Sequence, residues 1–266
     1  MSTEPSEPPA RVAAVTGASS GIGRAIAVAL GARGWNVALG ARRLDALRTT
    51  AELVALEGGV AVSHLLDVTD PASVDEFFAT VESVFGPVDT LVNNAGVAVP
   101  GLLVDTAPDD LAREVDTNLL GPLLCTRRAL PGMYAAGHGD VVFVSSDTAR
   151  VPRPGMIGYS ASKAALETVA RVVDMETEGR GVRTTVVRVG PTLTDFADDW
   201  TPGTFEHLLD LWPRFGIQRH FNTVEPVDIA NAVVHAVTAP AHARLDTIEV
   251  QPVAPVESRD GGPEVP

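Results

Sequence analysis

Seven short runs rich in β-branched residues recur along the chain, at 12–17 (VAAVTG), 36–41 (NVALGA), 62–68 (VSHLLDV), 89–96 (DTLVNNAG), 140–146 (DVVFVSS), 183–190 (RTTVVRVG) and 246–253 (DTIEVQPV). Each of the first six is followed by a stretch in which Ala, Leu and Val return at helical spacing. Strands that alternate with helices join through crossovers, so this rhythm predicts an α/β fold: a doubly wound parallel sheet of seven strands with helices on both faces. No proline-rich break interrupts the winding. Residues 11–253 are therefore expected to form a single domain, and 45% hydrophobic residues among 266 is ample for its core. The ends, 1–10 and 254–266, are rich in Pro, Glu, Ser and Gly and read as disordered tails.

The first strand leads into TGASSGIG (16–23) at the start of a predicted helix. Glycines at Gly17, Gly21 and Gly23 let backbone amides approach a pyrophosphate at a helix N-terminus, where the dipole favours negative charge. The spacing differs from the commoner Gly-x-Gly-x-x-Gly. Four landmarks follow in order: NNAG (93–96) after the fourth strand, DTNLLG (116–121) in the next helix, VSS (144–146) ending the fifth strand, and YSASK (159–163) opening the sixth helix. Together they resemble the short-chain dehydrogenase/reductase family over roughly residues 11 to 253. The resemblance implies a Rossmann-like fold and an NAD(P)-dependent oxidoreductase that moves hydride between a nicotinamide and a carbonyl or secondary alcohol. It also implies cofactor contacts at Gly17, Ser19, Ser20, Gly21, Ile22 and Gly23, at Asp67 and Val68 near the adenine, and at Asn94, Ala95 and Gly96 near the adenosine ribose.

Tyr159 and Lys163 stand four apart and so share one helix face. Lys163 is the only lysine, the other nineteen basic residues being arginine, and Tyr159 is one of two tyrosines. A phenol titrates near 10, and lowering that by ~3 units requires about 4 kcal/mol of differential interaction. A neighbouring ammonium and an oxidised nicotinamide are expected to supply it. Lysine's compact head also suits two ribose hydroxyls better than a planar guanidinium does. The resemblance makes Tyr159 the proton donor or acceptor, Ser146 the residue that holds the substrate oxygen, and Lys163 the ribose anchor that depresses the Tyr159 pKa. It makes Asn118 the support of a proton-relaying water. Ser146 is preferred over Ser145 because alternate strand residues face opposite ways. A nucleotide-binding scaffold or sensor of the same fold is the alternative; all four catalytic positions are filled, which favours the enzyme.

After the second strand, where NAD-preferring sites place an acid, the chain reads Ala41, Arg42, Arg43. Arg42 can pair with a 2′-phosphate through its fork. NADP(H) is therefore expected over NAD(H), although the other basic position common in the family is Ser20. The loop after strand six reads RVGPTLTDF, with Val189 where the family has proline, and Thr192 and Thr194 as the implied carboxamide contacts. A substrate-covering segment is expected at about 195–222. It holds Phe196, Trp200, Phe205, Trp212, Phe215 and Phe221, which either line an apolar substrate pocket or fasten the segment to the core or to another subunit.

A net charge of −14 argues against nucleic-acid or anionic-membrane surfaces. One cysteine permits no internal disulfide, and no run approaches the ~18 apolar residues of a bilayer span, so a cytoplasmic protein is expected. The six histidines are scattered and suggest no metal site. Surplus apolar residues in the helices at about 109–136 and 159–179 suggest a homotetramer or homodimer.

Overall fold

The computed structural model describes residues 10–197, 200, 202–217 and 220–255, so most of both expected tails lies outside the described residues. Seven strands form one sheet: β1 (Val12–Thr16), β2 (Asn36–Ala41), β3 (Val60–Leu65), β4 (Thr90–Asn93), β5 (Gly139–Ser146), β6 (Val182–Val189) and β7 (Thr247–Val250). Their order is β3-β2-β1-β4-β5-β6-β7, and every pair is parallel. The fold is thus the doubly wound single domain that the alternation predicts, and it is Rossmann-like, as the family resemblance implies.

The helices are α1 (Gly21–Gly31), α2 (Leu44–Leu56), α3 (Pro71–Phe85), α4 (Pro108–Val115), α5 (Gly121–Ala136), α6 (Ile157–Glu176), α7 (Pro202–Leu211) and α8 (Pro226–Val237). One face of the sheet packs on α1, α2 and α8 through Ile26, Leu30, Leu47, Val54, Ile229 and Val233. The other packs on α3, α5 and α6 through Phe77, Phe78, Cys125, Met133 and Leu166. Strands covered on both sides are apolar almost throughout, and for that reason β1 and β5 are buried at every residue.

Two expectations need correction. The third strand runs 60–65 rather than 62–68 because Asn36 pairs with Val60 and Ala41 with Leu65; Leu66 and Val68, which continue the apolar run, are buried beyond the strand's end. The helix expected over 109–136 is broken: between α4 and α5 a π-helical turn spans Asp116–Leu120, where the Gly121 N–H bonds to the Asp116 carbonyl. At the amino ends of the strands, Arg11 pairs with Asp89 (3.0 Å) and Asp140 (2.7 Å), and Arg183 with Asp140 (2.7 Å), so β1, β5, β6 and the lead into β4 are tied across the sheet.

Cys125 is 0% exposed in the α5 layer, and burial pushes its thiol up to about 12. Reactivity belongs to the thiolate. Alkylation of the folded protein at pH 8 is expected to be negligible and to proceed only through opening of the core, so its rate should rise in step with the unfolded fraction in urea; prompt labelling without denaturant would contradict this packing.

Candidate active site

At the carboxyl ends of the strands, a cavity of about 1280 Å³ opens where the strand order reverses between β1 and β4. All the candidate residues line it except Asn118: Gly17, Ser19, Ser20, Gly21, Ile22, Gly23, Arg42, Arg43, Asp67, Val68, Asn94, Ala95, Gly96, Ser146, Tyr159, Lys163, Thr192 and Thr194.

The β1–α1 turn is built against the β4 loop. The Asn94 side-chain amide donates to the Thr16 carbonyl (2.9 Å) and the Gly17 carbonyl (3.3 Å), while the backbone N–H groups of Asn94 and Ala95 both donate to Thr16 Oγ1 (3.0 Å each). A Cβ on Gly23 would lie 2.3 Å from the Gly17 carbonyl oxygen and 2.5 Å from Asn94 Nδ2, so only glycine fits. The N-cap Ser20 makes no side-chain capping bond, and the first-turn amides of α1 have no partner within the helix. That uncapped terminus fits a pyrophosphate.

Arg43, not Arg42, reaches back over this turn, its Nη2 donating to Ser20 Oγ (2.8 Å) and Ser19 Oγ (3.2 Å). Arg42 acts electrostatically on Asp67. Burial works against ionisation of that carboxyl, yet the Thr69 amide (3.0 Å), the Thr69 hydroxyl (2.7 Å) and the Arg42 charge outweigh it and hold Asp67 below the usual carboxylate range.

At the other end of the cavity stand the side chains of α6. Lys163 is 4% exposed, and its Nζ donates to the Val144 carbonyl (2.8 Å) and lies 5.8 Å from the centre of the Tyr159 ring. Burial pushes Lys163 down to about 8 and the Tyr159 phenol up to about 12. Hydrogen bonding from Ser146 works in the opposite direction on the phenol, as does Arg153 at longer range, while Asp147 and Glu114 raise it further. The expected depression of Tyr159 by Lys163 is therefore absent from the protein by itself, which holds the phenol firmly protonated. Ser146 faces Tyr159, whereas Ser145 points away and donates to Glu167 Oε1 (2.8 Å), as the strand alternation requires.

Asn118 is 0% exposed and fully engaged. Its Oδ1 accepts from the Val97 N–H (2.8 Å), and its Nδ2 donates to the Val97 carbonyl (2.8 Å) and to Ser162 Oγ (3.1 Å). With both amide hydrogens used, the side chain has none left for a relay water.

The aromatic-rich segment divides between two roles. The Trp212 indole is buried and donates to the Pro154 carbonyl (2.9 Å), and the Arg153 guanidinium sits 5.3 Å from its ring centre. Trp212 and Leu208 pack on Met156, fastening α7 to the loop that precedes α6. Phe196, by contrast, is 42% exposed and stands 5.7 Å from the Tyr159 ring and 6.4 Å from Trp200. Phe215 and Phe221 are exposed, and the Phe205 side chain lies outside the described residues. The motifs gave no sign of the ion pair between Arg153 and Asp147 (2.7 Å), which lines the cavity, or of Glu114; the only signal was an acid directly after Ser146 and another one turn before Asn118.

A family model described as short chain dehydrogenase matches residues 11–204. A glycine betaine reductase of Emericella nidulans is 39% identical over 242 residues, 91% of this chain, although the chain spans only 19% of that relative's length. An uncharacterized oxidoreductase of Staphylococcus aureus is 31% identical over 91% of this chain and 97% of its own. Among solved structures, an alcohol dehydrogenase from the archaeon Thermococcus sibiricus, complexed with 5-hydroxy-NADP, superposes with a TM-score of 0.77 at 30% identity, covering 90% of this chain and 95% of the other. A metagenomic short-chain oxidoreductase in complex with NADP gives 0.77 at 30% identity over 92% and 98%.

A buried lysine depressed to about 8 opposes folding when charged. Its neutral-form contribution to stability is full above the unfolded pKa near 10.5 and is lost as pH falls through 8, a cost of about 3 kcal/mol at pH 7. Lys163→Met should therefore match or exceed the wild-type Tm at pH 7, with wild type gaining on the variant between pH 8 and 10.5. Parallel stability curves, measured by circular dichroism, would show that Lys163 is not desolvated in this way.

Proposed function

This chain belongs to the short-chain dehydrogenase family, and we propose that it is an NADP-dependent oxidoreductase interconverting an apolar carbonyl compound and its secondary alcohol, with residues 11–253 as the catalytic domain. The observation that carries this reading is the convergence of Tyr159, Ser146 and Lys163 on one wall of the cavity. NADP, when bound, supplies or accepts the hydride. The chain's own residues do the rest. The amides at 21–23 hold the pyrophosphate, Arg43 and Arg42 the 2′-phosphate, Asp67 and Val68 the adenine, Asn94 to Gly96 the adenosine ribose, Lys163 the nicotinamide ribose, and Thr192 and Thr194 the carboxamide. Ser146 orients the substrate oxygen, and Tyr159, held protonated by burial, gives that oxygen its proton.

The NADP preference rests on two guanidinium groups at the cavity wall and on the absence of an acid at position 41. The NADP-complexed structural relatives support the same preference. A second substrate class, cationic rather than apolar, has one observation in its favour: the Tyr159, Phe196 and Trp200 rings lie in series along the cavity, an arrangement suited to a quaternary ammonium. The glycine betaine reductase among the relatives fits that class. We further propose a homodimer or homotetramer, supported by Leu120, Leu123, Val172 and Met175 exposed on and beside α5 and α6.

Three measurements test this. NADPH should bind more tightly than NADH, and the preference should shrink in Arg43→Ala and in Arg42→Ala; equal affinities in the wild type would remove the NADP assignment. Tyr159→Phe should keep fold and NADPH affinity while losing turnover by about 10²-fold or more. Assay of aryl ketones beside trimethylammonium aldehydes, read by NADPH absorbance, decides between the substrate classes.

A further inference from the structure

Glu114 closes the last turn of α4, is 1% exposed, and is used by none of the steps above. Its Oε1 accepts from the Val99 N–H (3.0 Å), two residues along the loop that Asn118 holds at Val97. Its Oε2 lies against Gly158, where an added Cβ would meet it at 2.1 Å, and the carboxyl also draws on the Tyr159 backbone N–H. Gly158 sits in the first turn of α6, next to Tyr159, and that turn has no side-chain cap at Met156. A glycine inside a helix costs about 1 kcal/mol relative to alanine. Here it makes room for a carboxyl aimed at amides that have no acceptor within the helix, where a negative charge is favoured.

The pattern repeats at an interval of four. Glu114 and Asn118 clamp Val99 and Val97 of one loop, and the same two side chains meet Gly158 and Ser162 of α6. Tyr159 and Lys163 follow immediately after those two contact points. The loop from Val97 to Pro100 lines the cavity, and its Ala98 packs in the same cluster as Tyr159. Asn118 thus has a charged counterpart one turn earlier, and the two together tie the loop to the helix that carries the phenol.

We propose that Glu114 is a positioning residue for Tyr159, its carboxylate holding the Val99 amide and the opening turn of α6 in register so that the phenol faces the reacting carbonyl. This rests on Tyr159 as the proton donor. The groups facing the phenol are Ser146, Asp147 and Arg153 from the β5 end and the loop after it, Glu114 from α4 and Lys163 from its own helix; Asp110 and Arg113 flank Glu114 on α4. Removing the Glu114 charge should therefore ease ionisation of Tyr159.

The test uses Glu114→Gln, which keeps shape and removes charge, beside Glu114→Asp. Acetophenone with NADPH serves as the activity probe. Expected for Glu114→Gln are faster hydrogen exchange at the Val99 and 157–159 amides, NADPH affinity within about twofold of wild type, kcat lower by about tenfold, and an alkaline limb of the kcat profile moved to lower pH, with Glu114→Asp closer to wild type. In a Tyr134→Phe background Tyr159 is the only tyrosine, and its phenolate absorbance gives the same shift without substrate. Unchanged exchange and an unmoved phenol titration in the folded Glu114→Gln protein would overturn the proposal. So would a lowered Tm with an unmoved pH profile, which would reduce Glu114 to packing. Should Tyr159→Phe retain wild-type turnover of the probe, the reading of the reaction falls, and this inference with it; loss of turnover there combined with an unaltered Glu114→Gln overturns this inference alone.

Discussion

Crossovers that leave β1 and β4 in opposite directions cannot both cover the ends of those strands, so a doubly wound sheet leaves a crevice at that point however well the rest is packed. The other features of the site depend on this constraint. The turn after β1, the loop after β4 and the start of α6 all border the crevice, and buried hydrogen bonds rather than apolar packing set their spacing. Thr16 and Asn94 join the first pair, while Asn118 and Glu114 join the loop to α6. At the opposite end of the sheet, the Arg11, Asp140 and Arg183 network ties the strand starts, so the crevice is formed by a rigid frame.

The ionisable groups in the crevice are held away from their ordinary behaviour in opposing directions. Burial favours a neutral Lys163 and a neutral Tyr159, and raises Glu114 as well. Pairs of groups driven apart by their surroundings are a common feature of acid–base sites. The protein accepts a cost in stability at Lys163 to place a compact cation beside a phenol in a chain whose other basic groups are all arginine. A guanidinium in that enclosed position would have to fit against the Val144 carbonyl and the Tyr159 ring, contacts that a single ammonium satisfies.

Attachment of the aromatic-rich segment follows a different logic from the β1–α1 turn. Trp212 and Leu208 bind to the loop at 153–156 through an indole hydrogen bond, a guanidinium on the ring and burial against Met156, while Phe196 remains half-exposed beside Tyr159. Anchoring by a few aromatic contacts leaves the shape of this end of the cavity to neighbouring side chains, and the Asp147–Arg153 pair gives it a polar feature among the rings. The β1–α1 turn, made largely of backbone amides and glycines, has no comparable latitude.

The alternation of apolar runs and helical spacing was enough to determine the parallel sheet, its strand count and the two-sided helical cover, because period and burial are properties of local sequence. The spacing of TGASSGIG, NNAG, VSS and YSASK likewise pointed to Gly17 to Gly23, Asn94, Ser146, Tyr159 and Lys163, which line one cavity. What the linear chain could not show were relations set by how the elements pack: that Arg43 arches onto Ser20, that the helix around Asn118 breaks into a π turn, that Asp147 and Arg153 pair inside the cavity, and that Glu114 needs a glycine at 158. Each of these depends on the distance between two separately positioned elements and on how much water reaches the groups they bring together. The same holds for the phenol: its place in YSASK singles it out, but its raised pKa follows from burial and from charges on the loop after β5 and on α4, which only the assembled tertiary structure brings within range.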